Sequence, residues 1–283
     1  MHESQPSRTA YRVALRRAAH QVIDHPPVFV DPVALRIIRR EDADRIHADR
    51  EWADGGRVSR YLRAFLAARS RFAEDELAAA IARGVRQYVV LGAGLDTFAY
   101  RNPFDDLRVF EVDHPATQAW KRERLTEAGI TVPSTLTFVA VDFEAQTVPG
   151  ELAAAGFDAT APAFFSWLGV TTYLRRDAIR STLRFVAETV KESGGIVFDY
   201  ATDPSSLPLA ARLVFFAMSQ RVKAAGEPWQ TFFDPEALAA DLRADGFREI
   251  RDLGPEAINA AYFAGRSDDL QVGALGHLVL ARR

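Results

Sequence analysis

Tyr88-Val89-Val90-Leu91-Gly92-Ala93-Gly94-Leu95-Asp96-Thr97 is the stretch on which the fold turns. Its apolar run reads as a strand buried on both faces, and the two glycines let the backbone turn sharply and approach a ligand closely. A nucleotide-type site at the carboxyl end of a parallel strand is the expected consequence. The turn departs from the dinucleotide pattern Gly-x-Gly-x-x-Gly, because Thr97 stands at the third glycine position with Asp96 beside it. A carboxylate a few ångströms from a pyrophosphate is repelled by several kcal/mol at an effective dielectric of about 20. The same carboxylate attracts a sulfonium or ammonium, so Asp96 argues for S-adenosylmethionine over NAD. As the N-cap of a purely structural turn it would say nothing about a ligand.

Working outward, Leu107 to Asp113 reads as a second strand ending in carboxylates about twenty residues past the glycines, where a ribose-binding acid belongs. Thr135 to Phe143 reads as a third, ending in Asp142 and Phe143, an acceptor for an adenine amino group beside a ring that can cover the base. Pro162 to Trp167 and Gly195 to Asp199 supply strands four and five, each followed by a helical pattern, and Phe247 to Asp252 and His277 to Ala281 supply two more. Strands alternating with helices predict an α/β fold: a doubly wound, mostly parallel, seven-stranded, Rossmann-like sheet. Upstream, Thr9 to Ile23 is an amphipathic helix pattern ended by Pro26-Pro27, and Asp31-Pro32 starts a short helix. A polar stretch from Glu41 to Gly56 separates it from a long helix through Arg83. The economical reading is a single domain over 1–283, with a helical extension at 1–84 and a core at 85–283 that carries a helical insertion at about 205–245. The extension serves equally well as a lid or as an enlargement of the core, and Leu207 to Ala225 reads as a helix that covers a pocket or packs in the core.

These residues resemble the leucine carboxyl methyltransferase-like branch of class I S-adenosylmethionine-dependent methyltransferases, which includes many bacterial small-molecule O-methyltransferases. The resemblance is carried by Val90 to Thr97, Tyr100-Arg101, Phe110-Glu111-Val112-Asp113-His114-Pro115, Val141-Asp142-Phe143 and Tyr173-Leu174, and it spans most of the chain. It implies that S-adenosyl-L-methionine is the cofactor, with Gly92, Ala93 and Gly94 lining its methionine part. Asp113 would hold the ribose hydroxyls, with Glu111 in reserve, and Asp142 with Phe143 would frame the adenine. Ala68-Arg69-Ser70-Arg71-Phe72 looks like the segment whose arginine pairs with the methionine carboxylate, and position suggests Arg71, although pattern hardly separates Arg63, Arg69 and Arg71. The chain departs from members close to the protein-phosphatase enzyme, which carry a glutamate five residues before the Tyr of the Tyr-Leu pair. Here that position is Leu168.

Composition sets the outer bounds. The 283 residues are 48% hydrophobic and 26% charged with a net charge of −3, so no basic surface for nucleic acid is implied. Cysteine is absent, which excludes disulfides and thiolate chemistry, and the six histidines show no His-x-x-x-His or His-Glu-x-x-His spacing, so no metal is expected. No signal-like run and no membrane-length apolar stretch is present, and a soluble cytoplasmic enzyme without a membrane partner is the expectation. The partner expected is a small-molecule methyl acceptor, foremost a carboxylate that would leave as a methyl ester; the oligomeric state is not legible. An aromatic or polyketide-like hydroxyl is the alternative, with His114, Asp199, Tyr173 or Tyr200 as the base by position. An NAD-dependent oxidoreductase and a non-catalytic S-adenosylmethionine-binding protein are the rival classes.

Overall fold

Val89 and Leu91 point to one side of β1 (Gln87–Leu91), Tyr88 and Val90 to the other, and all four are buried, as an unbroken apolar run requires. The computed structural model describes residues 7–142, 146–207, 209–224 and 228–283. β1 pairs in parallel with β2 (Arg108–Asp113) on one side and β4 (Ala163–Trp167) on the other. β3 (Leu136–Ala140) extends the sheet beyond β2 and β5 (Gly195–Ala201) extends it beyond β4, both in parallel. β7 (Gly276–Arg282) runs antiparallel between β5 and β6 (Glu249–Leu253). The order β3-β2-β1-β4-β5-β7-β6 is the mostly parallel, seven-stranded, doubly wound sheet that the sequence pattern predicts, closed by an antiparallel pair at the tail. It reverses direction between β1 and β4, and a crevice for ligands opens at the carboxyl edge of such a switch point.

Helices cover both faces. On one side, Phe72 and Leu77 of α5 (Gly56–Ala82) and Ile258 of α11 (Pro255–Tyr262) pack with Val90, Val109 and Val197. On the other, Leu152 of α7 (Val148–Ala154), Leu183 of α8 (Arg176–Thr189) and Leu238 of α10 (Pro235–Ala244) pack with Leu91, Phe110 and Phe165. α6 (Pro115–Glu127) follows β2, and α9 (Leu209–Ala224) follows β5. Before the sheet, α1 (Arg8–Ile23) and α2 (Ala34–Ile37) form a third core with Leu95 and Leu125. The polar stretch Glu41 to Gly56 is not the plain separator expected from its composition: α3 (Arg40–Ala48) and α4 (Arg50–Asp54) occupy it. Glu41 and Asp42 stand in the first turn of α3 where they complement the helix dipole, buried Ile46 anchors it, and Asp49 caps α4 by accepting from Trp52 N at 2.9 Å. One apolar anchor and two terminal signals suffice there, and none of them shows in an average of polarity.

A buried ion cluster ties these N-terminal helices to the glycine turn. Asp31, 1% exposed in the loop between α1 and α2, accepts from Arg17 Nη2 at 2.5 Å, Thr97 Oγ1 at 2.7 Å and Val33 N at 3.0 Å. Arg101 Nε lies 3.4 Å away, and Arg101 is bonded in turn to Glu74 of α5. Burial alone would push the Asp31 carboxyl up, but Arg17 and Arg101 outweigh it and hold the group below its usual range. Removing the carboxylate on which two buried guanidinium groups converge leaves Arg17 with only the distant Asp96 as counter-charge and Arg101 with Glu74 alone, so Asp31→Ala should lower the unfolding free energy by about 3 kcal/mol at neutral pH. Because the folded pKa is depressed, this contribution is present above the unfolded carboxylate range near about 4 and fades as pH falls through the lower folded value. Urea unfolding at several pH values checks both statements, and a loss under about 1 kcal/mol would show that the cluster does not anchor the helices.

Candidate functional site

The two glycines sit at the switch point in conformations that other residues rarely adopt: φ is +66° at Gly92 and +49° at Gly94. A Cβ on Gly92 would fall 2.4 Å from Val170 Cγ2, in the segment leaving β4, and one on Gly94 would fall 3.2 Å from the Cβ of Ala10 in α1. The turn is thus wedged between the exit of β4 and the N-terminal helix. Gly92 N and Ala93 N donate to Val112 O, which aligns the turn with the end of β2. Gly94 N then donates to Asp113 Oδ2 at 2.5 Å, while Asp113 Oδ1 accepts from His114 N at 2.7 Å. Burial pushes the Asp113 carboxyl up and these two amides pull it back. Gly92, Ala93, Gly94 and Asp113 are therefore one connected unit.

Glu111, one pleat earlier on the same face, is sealed in a buried pair with Lys121 Nζ at 2.6 Å, and its Oε1 has no hydrogen-bond partner. Burial drives it up to about 7 against the pull of Lys121. Lys121 escaped the sequence reading because a lysine in an amphipathic helix usually faces water. Asp142 is half-buried at the exit of β3, its amide donating to Gln146 Oε1 at 2.9 Å. Phe143 lies outside the described residues.

The arginine segment divides differently from the expectation. Two residues along a helix turn a side chain about 200°, so Arg69 and Arg71 cannot face the same way. Arg71 is turned outward, its side chain 51% exposed and bonded to Asp75 at 2.8 and 2.9 Å, and the structure does not bring it to the carboxyl edge. Arg63 is buried against Asp24 and Asp54, away from the crevice. Arg69 is 8% exposed and lies beside Gly169, where an added Cβ would stand 2.6 Å from Nη1. Gly169 adjoins Val170, which touches the position of Gly92, so Arg69 shares the crevice with the glycine turn. Its Nη1 donates to Asp199 Oδ2 at 3.1 Å. Among the described residues nothing accepts from Nη2 or Nε. A buried guanidinium with donors to spare at one end and a half-buried carboxylate bonded to the glycine turn at the other suit a ligand with a carboxylate and vicinal hydroxyls, as S-adenosylmethionine has.

Asp96 plays another part than the one its sequence position suggested. Its Oδ1 accepts from Phe98 N at 2.8 Å, capping the short turn Phe98–Tyr100, and its Oδ2 lies 3.8 Å from Arg17 Nη1. The cap and Arg17 take up the charge that a cationic ligand would otherwise meet, so the case for the cofactor rests on the crevice.

Glu111 gives a pH test. Its folded pKa of about 7 lies above the unfolded value of 4.5, so the group leaves stability intact below about 4.5 and subtracts from it as pH rises to about 7, by a few kcal/mol at most. Glu111→Gln should remove this slope, and unfolding curves with the same pH dependence in both proteins would contradict it.

Comparisons with known proteins place these features. The sequence profile described as leucine carboxyl methyltransferase matches residues 10–187. A Bacillus subtilis (strain 168) chain, provisionally named S-adenosyl-L-methionine-dependent methyltransferase YktD, is 32% identical over 99% of each chain. A Mycolicibacterium smegmatis chain with a similar provisional name is 33% identical over 91% of this chain and 82% of its own. Among solved structures, a provisionally assigned methyltransferase from Thermobifida fusca aligns with a TM-score of 0.57 at 16% identity, covering 99% of this chain and 95% of its own. A DUF574 family protein from Streptomyces avermitilis aligns at 0.55 and 14%, covering 95% and 97%. At such identities the two structures speak for the fold alone. With the family profile spanning more than half of its length and a full-length relative at 32% identity, the chain belongs to the leucine carboxyl methyltransferase family and is an S-adenosylmethionine-dependent methyltransferase.

Proposed function

We propose that this chain methylates the carboxylate of a small, partly aromatic acid, releasing a methyl ester. Arg69, rather than Arg71, holds the methionine carboxylate in this reading, Asp113 accepts from the ribose hydroxyls, and Asp142 receives the adenine amino group. The bound cofactor supplies an electrophilic methyl carbon on a sulfonium. Within the chain, the turn Gly92 to Gly94 and the exit of β4 shape a narrow crevice, and alignment in a dry site of this kind contributes on the order of 7–11 kcal/mol to such displacements.

The observation that carries the choice of acceptor is that three of the four side chains expected as a base, Asp199, Tyr200 and His114, are committed elsewhere. Asp199 is held by Arg69 and by Gly169 N. Tyr200 is turned to the opposite face, where its hydroxyl donates to Asp252 Oδ2 at 2.5 Å. His114 Nδ1 accepts from Ala116 N and caps α6, which puts its proton on Nε2 and makes that nitrogen a donor. A carboxylate is already ionised at neutral pH and needs no base. Among the aromatics of the second half of the chain, Phe164, Phe165, Trp167 and Phe233 are buried in the core. Phe215 instead lies against Trp229 and Phe232 at ring distances of 5.1 and 5.6 Å. Gln230 and Thr231, between these rings, bond to the segment Thr172 to Leu174 beyond β4, which puts the aromatic cluster at the strand exits. α9 also carries Arg212 and Lys223, which favours an anionic acceptor.

Arg69→Ala should weaken S-adenosylhomocysteine binding at least about tenfold, or 1.4 kcal/mol, while Arg71→Ala changes it less than about twofold. Calorimetric titration checks this, and the opposite ranking would return the role to Arg71. Once an acceptor is found by a methyl-transfer screen, kcat should stay flat from about pH 6 to 9, and the product should release methanol under mild alkali. An alkali-stable ether with a rate that rises through a pKa would overturn the carboxylate reading.

A further inference from the structure

Asp199, near the carboxyl end of β5, is 7% exposed and is gripped from three directions. Its Oδ1 accepts from Gly169 N at 2.5 Å, its Oδ2 accepts from Arg69 Nη1 at 3.1 Å, and its backbone oxygen accepts from Thr171 Oγ1 at 2.6 Å. The pair with Arg69 is end-on through a single nitrogen, where a two-pronged fork would have used Nη2 as well. That geometry leaves Nη2 and Nε of a nine-tenths-buried guanidinium without an acceptor among the described residues. Gly169, at φ +72°, completes the cradle, since a Cβ there would stand 2.6 Å from Nη1 and 2.8 Å from Nη2. Without a counter-charge a buried guanidinium on a flexible stem swings to water. With Asp199 in place it is aimed beforehand, and a carboxylate that docks on it does not have to order the side chain.

We propose that Asp199 is a positioning residue: by holding Arg69 Nη1 and the amide of Gly169 together, it points the remaining donors of Arg69 at the carboxylate of the cofactor. The proposal rests on the reading of Arg69 given under the proposed function and adds a residue, from a strand 130 positions away, on which that arginine depends.

Asp199→Asn keeps an acceptor for Gly169 N and removes the charge that orients Arg69. Calorimetric titrations with S-adenosylhomocysteine and with its decarboxylated analogue, which keeps the ammonium, separate positioning from a general structural role. The full-length Asp199→Asn protein should bind S-adenosylhomocysteine about tenfold more weakly and the decarboxylated analogue within about twofold of the unaltered chain. Unchanged or tighter binding of S-adenosylhomocysteine, or equal losses for both ligands, overturns the proposal. Should Asp199→Asn not fold, Gly169→Ala leaves Asp199 intact but pushes the guanidinium aside. It should show the same selective loss, and unaltered binding there overturns the proposal equally. Arg69→Ala, measured alongside, tells the two ideas apart. If it is inert, the assignment of Arg69 fails; if it is selective while Asp199→Asn is inert, only the positioning role fails.

Discussion

A carboxylate with no access to water, receiving two arginines from different parts of the chain, is the constraint on which the rest depends. Asp31 brings Arg17 of α1 and Arg101 of the turn beyond β1 to one point, with Thr97 as a neutral third donor. Buried charges of this kind are strongly penalised unless fully partnered, so the cluster admits one docking of the N-terminal helices on the sheet. That docking sets Ala10 over Gly94, and it consumes Asp96 as a cap and ion partner. The helices before the sheet are thereby packed against the glycine turn.

The crevice itself comes from topology. Strand order reverses between β1 and β4, which leaves the ends of these neighbours open, and Gly92 and Val170 meet there at a distance that no side chain on residue 92 would permit. Around this contact the chain gathers complementary groups: Asp113 bonded into the turn on one side, and Arg69 beside Gly169 on the other. Glu111 and Lys121 neutralise each other in the core and leave Asp113 as the acid at the end of β2. The proposed carboxylate acceptor is consistent with a site whose histidine, aspartate and buried tyrosine are already committed to caps and pairs.

Much of this was legible in the chain as a string. The sheet, the glycine turn, the acids closing β2 and β3 and the antiparallel tail are written in contiguous residues: apolar runs, glycines where φ is positive, and carboxylates at strand ends. The helices α3 and α4 were hidden because one anchoring isoleucine in nine residues leaves no periodic stripe. Asp96 misled for a related reason. A short acidic side chain after a glycine turn has the same local signature whether it caps a turn or faces a ligand, and only the approach of Arg17 distinguishes them.

The sequence by itself determined that this chain builds a doubly wound sheet with a Gly-x-Gly turn at the end of its first strand, because strand burial and glycine conformation are set by neighbours along the chain. Tertiary structure alone decided which arginine enters the crevice, that Asp199 meets it, and that Asp31 and Lys121 are buried in pairs. Arg69 and Arg71 are alike in type and lie two residues apart, and the choice between them follows from which face of α5 meets β4 and β5. The pairs that settle these roles join residues 10 to 130 positions apart, so no local pattern contains them. Burial then multiplies their energetic weight, because a charge withdrawn from water tolerates only the partner that the fold brings to it.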